Sequence, residues 1–538
     1  MEENTQAINI NSQSGLKLDF KRTLKVGFAF LGIMLFWEVY DYIMPLILSN
    51  YFGLNASQYG IIMGLDNLLA IFLLPFFGGL SDKAVNAKYG RRTSFIFWGT
   101  IAAALSVVFL MLMELREYTL LVDNMKETIG VSVLDLQNLV DPKTTSFKEN
   151  PEASYAQIMA IVAVLCSKGY IDPKWLAYTS FTATDVTAIQ TETAKSVMSA
   201  NPVVLVFFIV ALLCVLVSMA YYRSPAIALM PDVTPKPLRS QANALITLMG
   251  GVGGALSILV YMVFGAKKYE KHIALWLITA GLLLAILVLY LVFVKEKKFV
   301  QMRLDEEAKY GVVDEEEEEA KHGQTKLSKS KTISLVLILA TVFLWFMGYN
   351  CVRSHMSVYC TNYLGIAQSE LTIINLANGI GGAVALLPCA FLAGKIGRKK
   401  TIFAGLFLAS LTYIPCFFMT ASTPGVSVWF PVCFILSGFG MVFVNVNTLP
   451  MVTELSKGSN VGKYTGFYYV ASMTAQAITP FFAGLFMEID GYNTYKYLFV
   501  YALFFVFLAV ITTAFIKHGD SKAGKMSAID IINQSGDD

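Results

Sequence analysis

Charge is what this sequence has least of. Asp, Glu, Lys and Arg make up only 15% of its 538 residues, against 56% apolar residues and a mean hydropathy of +0.58. So small a polar share leaves too much oily surface for one soluble core, which excludes a water-soluble globular protein and implies a bilayer as solvent. Paired cysteines are missing too. None of the seven cysteines falls in a CxxC pair, and Cys166 stands alone in the largest polar insert, so neither a metal site nor a disulfide framework is indicated. No nucleophile with its base, metal-ligand cluster or phosphate loop emerges, so a membrane enzyme is the class with least support and no cofactor is expected. The glycine runs Gly250-Gly251-Val252-Gly253-Gly254 and Gly379-Ile380-Gly381-Gly382 lie inside apolar stretches, without the strand-to-helix setting or following acid of a dinucleotide site. No cleavable signal is evident, because the first 23 residues are polar and the first apolar run is long enough to stay as an anchor.

Long apolar runs are what the chain has. About 20 apolar residues cross roughly 30 Å of hydrocarbon, and twelve such runs fall near 24–48, 59–80, 93–113, 203–222, 242–264, 273–294, 333–358, 371–393, 401–420, 427–449, 464–487 and 495–516. The excess of Lys and Arg orients them. With both termini cytoplasmic, the inner segments hold Lys17, Lys21, Arg22 and Lys25; Lys83, Lys88, Arg91 and Arg92; Arg223, Lys236 and Arg239; and Lys395, Arg398, Lys399 and Lys400. Lys267, Lys268 and Lys271 violate this rule between spans 5 and 6. The expected location is the plasma (cell inner) membrane, as an integral multi-pass protein.

The chain divides into a cytoplasmic segment 1–23, an N-terminal half 24–294, a charged linker 295–332, a C-terminal half 333–516 and a cytoplasmic tail 517–538. Within the first half, 114–202 is a polar insert on the outer side. Its apolar stretch Ala156 to Cys166 is too short to cross, so a packed helix is expected there. The linker contains Asp314 and Glu315 to Glu319, a charge run that reads as solvated. The halves align on each other at an offset of 312. Asn50-Tyr51-Phe52-Gly53-Leu54 falls on Asn362-Tyr363-Leu364-Gly365-Ile366, Ser57 on Ser369, and the same register sets Asp66 against Asn378 and Asp41 against Arg353. Pro75 and Pro388 match with one residue of slip. Two six-span units in the same orientation describe parallel repeats, the architecture of alternating access.

A basic signature also occurs twice, each time after a span: Gly78-Gly79-Leu80-Ser81-Asp82-Lys83 with Gly90-Arg91-Arg92, and Ala393-Gly394-Lys395-Ile396-Gly397-Arg398-Lys399-Lys400. It resembles the loop between spans 2 and 3 of major facilitator superfamily transporters, over nearly the whole chain apart from the insert. The long first copy is most similar to the sucrose-type carriers and the glycoside/pentoside/hexuronide cation symporters. Asp66-Asn67-Leu68 through Pro75, Arg223-Ser224-Pro225 through Pro231-Asp232, and Gly462 through Tyr469 agree with that branch. The resemblance implies an all-α polytopic fold of twelve transmembrane helices in two pseudo-symmetric halves, with spans 5 and 8 meeting between them over their glycines. It also implies a cytoplasmic gate. Asp82, Arg91 and Arg92 are its first part; Arg223 and Asp232 bracket the cytoplasmic end of span 4, and Arg398 and Glu454 serve the other half. The arginines enforce orientation, fasten the gate, or both. The second copy has no acid at the position of Asp82, so an asymmetric gate is expected.

Ionisable groups within spans cost about 2.5 to 3.5 kcal/mol each on insertion scales, so each is a functional hypothesis. Glu38 and Asp41 project from one face of span 1, Asp66 lies deep in span 2, and Arg353 and His355 approach the outer end of span 7. A cation-coupled carrier needs a carboxylate whose loading changes the preferred conformation; Glu38 and Asp41 fit, with an Asp41–Arg353 bridge expected across the cavity. The competing reading of that bridge is a static pair that fixes the packing of spans 1 and 7. Sugar recognition uses aromatic faces and buried amides, and the spans supply Trp37, Tyr40, Asn67, Tyr349, Asn350, Asn375, Asn378, Asn445, Asn447, Tyr468, Tyr469 and Gln476. The expected function is symport of a sugar or glycoside with H⁺ or Na⁺ by a functional monomer in the lipid bilayer, with no metal and no nucleic acid. A lipid or amphiphile carrier and a transporter-like sensor that reads its insert are the alternatives.

Overall fold

The computed structural model describes residues 17–84, 89–140, 151–181, 183–235, 238–264, 271–310, 328–366, 368–420, 423–455, 461–489 and 495–519. The acidic run Asp314 to Glu319 and Lys88, Lys236, Lys267 and Lys268 lie outside the described residues. The long helices that match the apolar runs are α1 (Phe20–Asn50), α2 (Ala56–Asp82), α3 (Arg91–Tyr118), α4 (Pro202–Val233), α5 (Arg239–Phe264), α6 (Ile273–Phe293), α7 (Lys329–Val358), α8 (Gln368–Ile396), α9 (Arg398–Phe418), α10 (Val426–Leu455), α11 (Val461–Met487) and α12 (Leu498–Phe515). Eleven are long and apolar enough to cross a membrane over their described residues. The remaining one, α8, is 29 residues long with an apolar stretch Leu371–Leu386. The chain is an integral multi-pass membrane protein.

Helix pairing repeats between the halves. In the first, α1 packs on α5 and α6, α3 on α4 and α6, and α2 on α4; in the second, α7 packs on α11 and α12, α9 on α10 and α12, and α8 on α10. Backbone detail repeats as well. Gly53 and Gly365, 312 residues apart, turn the chain after α1 and α7 with φ of 62° and 68°, a left-handed conformation that a side chain resists. Gly90 and Gly397 precede α3 and α9 with φ of 116° and 93°.

The first turn of α3 is capped from outside. Gly90 offers no side chain, and the carboxylate of Glu296 accepts from Arg92 N at 3.1 Å and Thr93 N at 2.6 Å. Unsatisfied amides and the positive end of a helix dipole attract such an anion. Glu296 opens a helix, Glu296–Tyr310, which is also tied to α1 by an Arg22–Glu306 pair at 2.7 Å. The charge run read as solvated, Asp314 to Glu319, lies outside the described residues, whereas residues Glu296–Tyr310 of the expected linker are helical. They dock on the N-terminal half, because their acids meet a bare helix end and a buried arginine.

At the opposite end the insert forms a small helical layer. Helix Pro151–Ser167 buries Ile158, Val162 and Leu165 on one face, and helix Ala183–Ala200 covers the turn at Gly53 so closely that a Cβ there would lie 2.3 Å from Lys195 N. Trp175 Nε1 and Asp172 N donate to Glu192, at 2.8 and 2.7 Å. Burial, with Glu192 and Asp172 nearby, pushes the Cys166 thiol up. Lys271, the unexplained basic residue on this side, bonds Asp123 at 3.4 Å and lies over the Tyr118 ring at 4.8 Å. Beneath it Glu114 is buried, accepting from Trp276 Nε1 and bonded to His272 Nδ1, each at 2.5 Å.

Candidate functional site

Two cavities lie at mid-length of the helices. The larger, of about 520 Å³, is lined by α1, α5, α7, α8 and α10. Its polar groups are Glu38, Asp41, Tyr42, Tyr349, Arg353, Ser357, Asn375, Asn378 and Ser437; Met34, Met356, Met441, Phe434 and the glycines of α5 and α8 supply the apolar wall. Arg353 reaches across from α7 to α1. Its Nη2 and Nε meet one oxygen of Asp41 at 2.7 and 3.1 Å, and Nη2 lies 3.5 Å from Glu38. The cluster thus sets two carboxylates against one guanidinium. The smaller cavity, of about 20 Å³, lies within the N-terminal half between α1, α2 and α4 and is lined by Trp37, Asp66, Asn67 and Arg223 among apolar groups. Asn67 Nδ2 donates to Asp66 at 2.8 Å.

The sequence-chosen residues therefore separate into three groups. Glu38, Asp41, Arg353 and Asn378 share the large cavity, and Trp37, Asp66 and Asn67 share the small one. Two do neither. Asn350 is buried and donates to Gln476 O at 3.4 Å, and Tyr40 is buried in ring contact with Phe36 and Trp37. Asn445 and Asn447 point to different neighbours, accepting from Trp345 Nε1 at 2.9 Å and donating to Phe443 O at 2.9 Å. Tyr42, Ser357 and Ser437 were missed. Helical spacing finds two of them, since Tyr42 follows Glu38, and Ser357 follows Arg353, by four residues.

Both halves carry an ionic latch where α2 gives way to α3 and α8 to α9. Arg92 is held by Asp82 and, at 2.8 Å, by Asp232, which also pairs with Arg91 at 2.8 Å. In the other half Arg398 pairs with Glu454. Asp232 and Glu454 occupy corresponding helices, α4 and α10, so the two latches share an arginine–carboxylate core. The two latches differ at Asp82, which is 57% exposed in its pair, and at Lys399, which donates to Ala514 O and Ile516 O where Arg92 meets carboxylates. Arg223 is not part of the latch. α4 runs on through Pro225 and Pro231 to Val233, as membrane helices allow, so Arg223 sits roughly 13 Å along the helix from Asp232 and faces the small cavity.

At the insert end the halves meet directly. Ser57 N and Oγ donate to Glu488 at 2.8 and 2.9 Å, Asn362 Nδ2 donates to Asn50 at 3.1 Å, and the Tyr59 and His355 rings lie 5.1 Å apart. Asn50 with Asn362, and Asp41 with Arg353, are the residues that the offset of 312 makes equivalent. Equivalent residues touch only near the axis that relates the two halves. α2 and α11 close against each other around Gly60, Gly64 and Gly484, where an added Cβ would lie 2.1 to 2.3 Å from the partner backbone. The glycines of α5 and α8 behave differently. Gly253 and Gly381 abut α1 and α10 of their own halves, while Gly251 and Gly379 face open space. α5 and α8 do meet between the halves, as the resemblance implies, but their glycines line the large cavity or pack on their own halves and do not make that contact.

Comparison with known proteins agrees with this architecture. No curated protein sequence matches the chain. Solved structures similar to it include a variant of the nucleoside transporter NupG (12% identity, TM-score 0.55, 93% of this chain and 100% of that one). A bacterial homologue of the iron transporter ferroportin in an inward-facing state has 12% identity and a TM-score of 0.55 over 92% of this chain and 98% of that one. The inward-open xylose transporter XylE from E. coli has 13% identity and a TM-score of 0.54 over 93% of this chain and 96% of that one. At such identities the likeness is one of fold. The sequence model described as Major Facilitator Superfamily matches residues 187–367 and 338–527, more than half of the chain. With that match, and twelve helices paired in two repeating halves, the chain belongs to the Major Facilitator Superfamily.

Proposed function

We propose that the protein is a secondary active transporter that couples one monovalent cation, H⁺ or Na⁺, to symport of a sugar or glycoside by alternating access. The charge count of the large cavity carries this reading: Glu38 and Asp41 share the single guanidinium of Arg353. Closing a cavity around a net negative charge costs several kcal/mol. One bound cation removes that cost, so the carrier closes and crosses when loaded. Tyr42, Tyr349, Asn375 and Asn378 supply ring faces and amides suited to hydroxyls. The closed insert end and the chain orientation expected from Lys and Arg correspond to an inward-facing state, with the latches on the cytoplasmic side.

One observation favours a second substrate class. The cavity wall formed by Gly251, Ala255, Gly379 and Ile380 is apolar and open, as a single-chain amphiphile would require. A panel of saccharides and single-chain amphiphiles in proteoliposomes, under imposed pH or Na⁺ gradients and beside Asp41→Asn, decides. Gradient-driven saccharide uptake lost in Asp41→Asn supports the first reading; accumulation of amphiphiles alone replaces it with the second. If nothing accumulates, the symport reading fails.

A further inference from the structure

The small cavity between α1, α2 and α4 is separate from the cation-loading cluster, and its chemistry differs. Asp66 and Arg223 are its two charged groups, so its charges cancel where those of the large cavity do not. Trp37 Nε1 is buried and has no hydrogen-bond partner among the described residues. One oxygen of Asp66 accepts from Asn67 Nδ2 at 2.8 Å. The volume of about 20 Å³ holds about one oxygen-sized group, since a water needs roughly 10 to 15 Å³ on the same measure.

We propose that this cavity is a hydroxyl-binding subsite for the transported solute, with Trp37 and Arg223 as donors and Asp66 as acceptor. A neutral group gains there and an ion does not, because the Asp66 and Arg223 charges already offset each other. A hydroxyl both donates and accepts, so it meets the carboxylate and the orphaned indole N–H together. Trp37 and Glu38 are neighbours on α1, and that helix lines both cavities. In this proposal a solute that loads beside Glu38 and Asp41 lies across α1, with one hydroxyl in the subsite. The inference rests on the saccharide reading, and it moves Arg223 from the gate to substrate selection.

The test uses the full-length protein in proteoliposomes, with glucose, galactose, sucrose and melibiose as probes, followed by the monodeoxy forms of whichever is transported. Trp37→Phe keeps an aromatic ring and removes the N–H; Arg223→Lys keeps the charge and removes the planar donor fork. Each is expected to raise KM about tenfold with kcat little changed, the scale of one lost hydrogen bond. One monodeoxy sugar should show the same loss on the unsubstituted protein and no further loss on Trp37→Phe. Non-additivity of that kind does not arise from a packing defect, and thermal unfolding in detergent identifies a variant that is merely unstable. An unchanged KM for both variants, with transport otherwise intact, overturns the subsite and assigns the cavity to water. Failure of the unsubstituted protein to take up any of the sugars overturns the saccharide reading and the subsite with it.

Discussion

The two ends of the helix bundle are fastened in opposite ways. At the insert end the fastening runs between the halves, through Ser57–Glu488, Asn50–Asn362 and the glycine-lined contact of α2 with α11. At the latch end the ion networks described above close within one half or the other: Arg91 and Arg92 with Asp232, and Arg398 with Glu454. In the proposed alternating-access cycle the first kind of bond would break when the halves rock, and the second kind would travel with its half. The polar contacts between the halves at the insert end are hydrogen bonds, one set accepted by the Glu488 carboxylate and one between two amides, with no arginine or lysine among them. The arginine–carboxylate pairs of the latch end stay inside one half each. Between the two ends, Arg353 and Asp41 form the one ion pair of the central cluster that is held at 2.7 Å and joins both halves.

Experiments can break this comparison at several points. The largest effect is expected from Arg353→Gln, which leaves Glu38 and Asp41 facing each other without a cation. The pair is partly open to the cavity, with Arg353 41% and Asp41 26% exposed, so the loss is expected in transport more than in stability, and initial uptake rates should fall at least about a hundredfold. Exchanging the charges, Asp41→Arg with Arg353→Asp, should return part of that loss; no recovery at all would mean that the pair's surroundings, and not the pair, hold the halves. Next is Gly64→Ala against Gly251→Ala. The first puts a methyl 2.1 Å from Ala477 O, and the second puts one into open space. Overpacking of this kind costs about 1 to 3 kcal/mol, so unfolding in detergent should shift for Gly64→Ala only. Equal shifts would erase the distinction between the α2–α11 and α5–α8 seams.

A smaller change is expected at the latch end. Glu296→Ala removes the acceptor for Arg92 N and Thr93 N. Loss of such a cap costs about 1 kcal/mol, enough to speed hydrogen exchange in the first turn of α3 while leaving α9 unchanged. Protection lost equally from both helices would show that the docked linker steadies the whole end and not one cap. The smallest effect belongs to Asn362→Ala, a single neutral hydrogen bond between the halves worth about 1 kcal/mol. It should raise the labelling rate of a cysteine placed at Ser57 a fewfold, and an unchanged rate would remove Asn50–Asn362 from the closure.

Much of the fold was readable because the apolar runs and the 312-residue register carry strong signals. The same register leads to the expected Asp41–Arg353 pair, whereas Asn50 and Asn362 align as equivalents and their contact emerges only in the structure. Side-chain direction was harder to read. Arg223 was assigned to a helix end because it directly follows the apolar run 203–222, whereas α4 continues through both prolines. Tyr40 and Asn350 have the right chemistry, but their faces turn into packing. The role of Glu296 was hidden because a cap supplied from 204 residues away leaves no local pattern. The contact of α5 with α8 was only half legible for a related reason, since the helices touch but not over their glycines. Glycine permits close approach, but the sequence does not name the partner, and Gly253 and Gly381 approach their own halves.

The claim on which the rest depends is that the large cavity, with two carboxylates to one guanidinium, closes only after taking up one positive charge. The most direct measurement is the reversal potential of solute flux in proteoliposomes under opposed solute and H⁺ or Na⁺ gradients, which counts the charges moved per solute. One elementary charge moved with each neutral solute, and none in Glu38→Gln or Asp41→Asn, is the predicted result. Uptake that ignores both ion gradients and the membrane potential would contradict it.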